Sequence, residues 1–169
     1  MNNNELKYIQ SFAHKKHWDQ ESVFIVEGPK LVKELLESDW TIEKIYASSE
    51  WLNAQEPIGV PTEQVDEIIL ARISQFKTAN QVLALVKKKV ANAPLNFDKE
   101  LTLVLDGIQD PGNFGAIIRT ADWFGVKQIL VSEDNAGLYN PKVIQSTMGS
   151  FLRVHVAQYN IEAVLSTSK

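Results

Sequence analysis

Cysteine is absent from all 169 residues, which excludes disulfides, thiolate metal sites and cysteine nucleophiles together. Long apolar runs are missing too. No stretch approaches the ~20 residues that a membrane-crossing helix requires. The start, Met1–Glu5 (MNNNE), has neither the basic opening nor the apolar core of a signal peptide. A cytoplasmic protein without membrane association is the expectation. An excess of positive charge is lacking as well: 17 Lys and Arg stand against 21 Asp and Glu, a formal net charge of −4. That balance argues against indiscriminate nucleic-acid binding, which neutralises many phosphates at once. It leaves room for a local basic face.

What is present is ordinary for a globular protein: 44% hydrophobic and 22% charged residues. Two basic clusters stand out, His14-Lys15-Lys16-His17 and Lys87-Lys88-Lys89. Each also reads as a solvated helix or strand end.

Hydrophobic periodicity organises the chain. Leu6, Ile9, Phe12 and Ala13 predict a helix over 5–17. The run Val23–Val26 predicts a buried strand, turning at Glu27-Gly28-Pro29 into a helix to about Ser38, with Pro29 in its first turn. Strands are expected at Ile42–Ala47 and Val82–Val86, with a helix at Val65–Leu70 between them. Residues 90–97, with Pro94 and two asparagines, have no period and predict a linker. Beyond it come a strand at Leu101–Leu105, a helix from about Phe114 to Phe124 closed by Gly125, and a strand at Gln128–Val131. A helix at Pro141–Met148 ended by Gly149, a strand at Leu152–Ala157 and a helix from Ile161 follow. Strands alternating with helices imply an α/β protein with parallel sheets. The expected division is one small α/β domain over 1–92 and a second over 98–169.

The chemistry concentrates in residues 106–121, DGIQDPGNFGAIIRTA. This segment leaves the carboxyl end of a predicted strand and opens a helix, the edge where open α/β sheets bind ligands. Pro111 and Gly112 tighten the turn. Asn113 stands where it either caps the helix or points its amide outward. Gly115 permits close approach of a backbone or ligand, and Arg119 lies one to two turns into the helix. The glycines at 107, 112 and 115 do not fit the dinucleotide fingerprint, and no Lys-Ser or Lys-Thr follows a glycine as in a Walker A loop. On spacing alone, a capped turn with one surface arginine explains the segment equally well.

Residues 106–125 resemble the first signature of the SpoU (TrmH-type) RNA methyltransferases, within the SPOUT superfamily of knotted enzymes. The resemblance continues through 139–156, YNPKVIQSTMGSFLRVHV, and upstream in 23–32, VFIVEGPKLV, which is similar to the family's amino-terminal substrate-binding module of ribosomal-protein type. It implies methyl transfer from S-adenosylmethionine to a ribose 2′-hydroxyl of rRNA or tRNA, no metal, and a homodimer when complete. Asn113 and Arg119 fall on the family's catalytic positions: Arg119 would contact a substrate phosphate or the reacting hydroxyl, and Asn113 would help orient it. A guanidinium with a pKa above ~12 is a poor base, so positioning and charge stabilisation are its expected roles. Lys15 and Lys16, then Lys87, Lys88 and Lys89, are the candidates for RNA backbone contact.

Two later signatures of the family, a Gly-x-Glu-x-x-Gly-like segment and a Ser-Leu-Asn, do not occur before Lys169. In the family those segments form the knot and bind the methyl donor. The expectation is therefore an incomplete SPOUT-type domain without a donor pocket, with an exposed sheet edge prone to self-association, either cut from a longer enzyme or a natural short relative. A non-catalytic RNA-binding protein of the same family is the competing reading.

Overall fold

A computed structural model describes residues 1–89 and 101–167. The expected linker at 90–97 lies outside the described residues. The chain divides into two compact units, Met1–Lys89 and Val90–Lys169.

The first unit runs α1 (Asn3–Ser11), α2 (Lys15–Gln20), β1 (Val23–Glu27), α3 (Pro29–Leu36), β2 (Ile42–Ala47), α4 (Ser49–Asn53), β3 (Thr62–Gln64), α5 (Glu67–Ile73) and β4 (Val82–Lys87). The single helix expected over 5–17 is two. Phe12 ends α1, its N–H bonded back to Ile9 O, and the chain re-enters helix after His14, whose backbone is extended. Buried Phe12 and Trp18 each seat one of the two helices in the core.

The strand order is β1-β4-β2-β3, with β2–β3 parallel and β4 antiparallel to both of its neighbours. The parallel sheet expected here is therefore mixed. Strands β1, β2 and β3 share one direction. Only β4 is reversed, because it enters the gap between β1 and β2 from the opposite end. That gap buries β4 on both faces, which is why five of its six residues are apolar. On one face α1, α2 and α5 bring Leu6, Ile9, Phe12, Trp18, Leu70 and Ile73 against Val23, Ile25, Leu83 and Leu85. Phe24 alternates to the other side of β1 and meets Trp40 edge-on at 5.7 Å.

The second unit runs β5 (Thr102–Leu105), α6 (Pro111–Trp123), β6 (Gln128–Val131), α7 (Pro141–Ser146), a 3-10 turn at Ser150–Leu152, β7 (His155–Gln158) and α8 (Ile161–Thr167). Its sheet is parallel throughout, in the order β5-β6-β7. Two successive crossovers of one hand place α6 and α7 on the same face. There Phe114, Ile118, Ala121 and Val143 pack on Ile129, Val131, Leu103 and Leu105. The strand expected from Leu152 begins only at His155, because Gly149, at a φ of 92°, and the 3-10 turn occupy the intervening residues.

Candidate active site

Helix α6 starts at Pro111, three residues before the expected Phe114, and Asp110 caps it rather than Asn113. The Asp110 carboxylate accepts the Asn113 N–H at 2.7 Å, and Pro111 occupies the first helical position, where no N–H is needed. Relieved of capping, the Asn113 side chain is exposed. It lines an open cleft of about 540 Å³ with Gly107, Ile108, Gln109, Asp110, Ala116 and Thr120. The cleft lies at the carboxyl edge of the parallel sheet, where the strand-to-helix turns leave backbone groups available.

Arg119 is exposed on the same helix, and among the described residues it has no ion-pair partner. It is not part of the cleft lining. Six residues of α-helix turn the chain through about 240° beyond a full turn and advance it ~9 Å. Arg119 therefore stands on the flank beside the cleft, and only the length of its side chain can bring its guanidinium toward Asn113.

Close approach at Gly115 is made by α7 rather than by a ligand. A Cβ on Gly115 would lie 2.4 Å from Ser146 Cβ and 2.8 Å from Val143 O. This contact fixes the side of α6 next to Arg119 against a second helix, so the cleft wall is rigid.

The turn between β5 and α6 is held from the neighbouring loop after β6. Asn135, 8% exposed, accepts the Ile108 N–H on Oδ1 at 2.8 Å. Its Nδ2 faces Leu105 O at 3.0 Å, Ser132 O at 3.2 Å and Ser132 Oγ at 2.7 Å. Ser132 Oγ also accepts the Gly107 N–H at 2.9 Å and donates to the Asp134 carboxylate. Ala136 N–H closes the arrangement on Ile108 O at 2.8 Å. Sequence reasoning passed over Asn135. The signal was a polar pair, Ser132 and Asn135, just past the carboxyl end of a buried strand.

In the first unit, Lys15 and Lys16 are exposed at the start of α2, where no side chain caps the helix. The Lys87–Lys89 cluster divides. Lys87 is exposed. Lys88 donates to Trp18 O at 2.6 Å and Asp19 O at 3.3 Å, so its ammonium closes the carboxyl end of α2. Burial pushes its pKa below the ordinary lysine value. Lys89 pairs with Asp39 at 2.7 Å and lies over the Trp40 ring. Through Lys88 the fold brings the two basic clusters to adjoining positions, since α2 is only ~9 Å long. One buried charge went unnoticed in the sequence. Glu27, at the end of β1, accepts the Gln75 N–H at 2.7 Å and the Ser74 hydroxyl at 2.8 Å. Burial raises its carboxyl above the ordinary value, against the lowering effect of those donors.

Among the described residues no group of His, Asp or Glu is placed to hold a metal, and no helix is long and apolar enough to cross a membrane.

Comparison with known proteins covers both units. Residues 100–169 match the SpoU rRNA Methylase family, and residues 3–84 match the MRM3-like substrate binding domain. The chain is 26% identical to the 23S rRNA (guanosine(2553)-2′-O)-methyltransferase RlmP of Bacillus subtilis (strain 168), over 99% of its own length and 66% of the relative's. It is 22% identical to the human mitochondrial rRNA methyltransferase 3, over 82% of its own length and 35% of that protein's. Among solved structures, a TrmH-family RNA methyltransferase from Porphyromonas gingivalis superposes with a TM-score of 0.82 at 33% identity, covering 95% of this chain and 63% of that one. An AdoMet-bound rRNA methyltransferase from Sinorhizobium meliloti superposes with a TM-score of 0.81 at 26% identity, over 97% and 64%. The chain thus spans two thirds or less of the length of these relatives.

Proposed function

The chain belongs to the SpoU (TrmH-type) family of RNA methyltransferases, and from that premise we propose that it serves 2′-O-methylation of a ribose in ribosomal RNA. The observation that carries this reading is the pairing on one helix of an uncommitted amide and an uncommitted guanidinium. Asp110 takes over the cap, so Asn113 is left facing the cleft, and among the described residues no carboxylate pairs with Arg119 on the adjoining flank.

In this reading Arg119 holds a phosphate or the 2′-oxygen of the target nucleotide, a role suited to a permanent charge with several donors. Asn113 orients the sugar within the cleft. The gain comes from fixing the hydroxyl in line for transfer. S-adenosylmethionine supplies the methyl group. The cleft residues come from one turn and one face of one helix, and we assign none of them to the donor.

Residues 1–92 are read as the substrate-binding part and 98–169 as part of the catalytic domain. Lys15, Lys16 and Lys87 are the phosphate contacts we favour in the first, with Lys88 and Lys89 supporting them structurally. Ribosomal RNA is preferred over tRNA because the relatives that match both units are named for rRNA. A cytoplasmic homodimer completes the reading. The apolar surface it would cover is the end of α6, where Trp123 is 86% and Phe124 78% exposed.

The test is methyl transfer to 23S rRNA by the full-length gene product and by its Arg119→Ala and Asn113→Ala variants. Both side chains are exposed, so each variant is expected to keep its melting temperature while transfer falls by ~100-fold or more. Transfer that survives Arg119→Ala removes the assignment. RNA binding without any transfer by the unaltered protein favours the non-catalytic alternative.

A further inference from the structure

The loop after β6 contains a residue that no substrate-facing role accounts for. Asn135 is buried, lies outside the cleft, and uses both ends of its amide on backbone of the loops flanking the cleft. We propose that Asn135 is a positioning residue that fixes the turn Asp106–Asp110, and through the Asp110 cap fixes Asn113. This rests on the functional reading above.

The geometry is specific. Past Leu105 the strand ladder ends, and Ser132 N–H on Leu105 O is its last rung. Beyond that point side chains share the turn with one backbone bond. Ile108 is gripped on both sides of its peptide, its N–H by Asn135 Oδ1 and its carbonyl by Ala136 N–H. Gly107, at a φ of 68°, is tied to the Ser132 hydroxyl, which Asn135 itself contacts. Gly107, Ile108, Gln109 and Asp110 form one whole side of the cleft. Asp110, two residues beyond Ile108, caps α6 through the N–H of Asn113 itself. A displacement of the Ile108 peptide therefore passes through two residues to the helix start that carries the site. Of the common side chains, only a primary amide of this length offers the acceptor and the donors that the position uses.

The amide's two ends can be separated experimentally. Asn135→Ala removes both. Asn135→Asp keeps the size and the acceptor, but turns an oxygen toward the carbonyls of Leu105 and Ser132. Protonation of that carboxyl restores a donor, and the apposed carbonyls raise the pH at which this happens. Amide exchange and steady-state methyl transfer to 23S rRNA are measured together on the unaltered protein and both variants, with Arg119→Ala as a control.

The expected result for Asn135→Ala is exchange at Ile108 N–H faster by ~10-fold or more, with the β5–β6 ladder amides unchanged. Its kcat falls by ~10- to 100-fold while KM for RNA stays within about threefold, as a misplaced reacting geometry predicts. Asn135→Asp behaves like Asn135→Ala at pH 8 and regains activity relative to the unaltered protein as the pH is lowered toward 5.5. Unchanged Ile108 exchange in both variants overturns the proposal, as does an unchanged kcat. A loss of kcat in Asn135→Asp that does not narrow at low pH also overturns it, since the donor end would then be irrelevant. If the unaltered protein transfers no methyl group, the functional reading fails by itself and the exchange measurement still decides whether Asn135 holds the turn.

Discussion

Replacement of Gly115 by alanine tests the packing that makes α6 a rigid wall. Intrinsic helix propensity favours the change, because alanine is better than glycine inside a helix by ~1 kcal/mol. Packing opposes it. The added Cβ lies 2.4 Å from Ser146 Cβ, 2.8 Å from Val143 O and 2.9 Å from Ser146 C, about 1 Å short of ordinary contact at the closest point. Two of these three atoms are backbone, so rotamer adjustment cannot relieve them and α7 must retreat. Overpacking of this kind costs ~1–3 kcal/mol, and backbone opposition puts it at or above the upper end. The net expectation is a loss of about 2 kcal/mol from the second unit. Urea unfolding followed by pulse-labelled hydrogen exchange reads peptides of α6 and α7 separately from those of the first unit, so the two transitions are not merged. Adding Ser146→Gly removes only the Cβ contact and should restore part of the loss, with a coupling above ~0.5 kcal/mol. Gly115→Ala that stabilises the second unit, as propensity alone dictates, would refute the reasoning.

Two further outcomes follow from the first unit. Glu27 has its folded pKa raised by burial, so the native state holds its proton more tightly than the unfolded chain. Its contribution is greatest below the ordinary carboxylate pKa and is lost as the pH rises through the raised value. Thermal melts of the protein and of Glu27→Gln between pH 4 and 7 should therefore shift in favour of the variant as the pH increases; a constant difference would contradict this. The double change Lys15→Ala and Lys16→Ala should weaken rRNA binding and reduce the slope of log K against log salt by about 1.5, two phosphate contacts' worth. An unaltered slope would move the contact elsewhere.

Much of the fold was legible because the strands are continuous apolar runs and the second unit alternates parallel strands with helices. The position of β4 was not, since alternation of strands and helices does not say which strand fills a gap or from which end. Short elements were also missed. β3, TEQ, exposes two of its three residues, and α4 spans only five, so neither carries a period. At the site, the residues of the turn were readable and their division of labour was not. Asp110 and Asn113 are both good caps, and the choice between them depends on where Pro111 enters the helix. Asn135 was invisible for a related reason: an asparagine in a turn-rich segment reads as loop, and its value lies in the Leu105 carbonyl and the Ile108 N–H, some thirty residues earlier in the chain.

The chemical position of the added methyl group probes the account at its centre. RNA treated with the protein and radiolabelled S-adenosylmethionine is hydrolysed in alkali, which cleaves after every ribose whose 2′-hydroxyl is free. The label is expected in an alkali-resistant dinucleotide, and to vanish with Arg119→Ala. Label released as an ordinary mononucleotide would place the methyl group on a base and contradict the account.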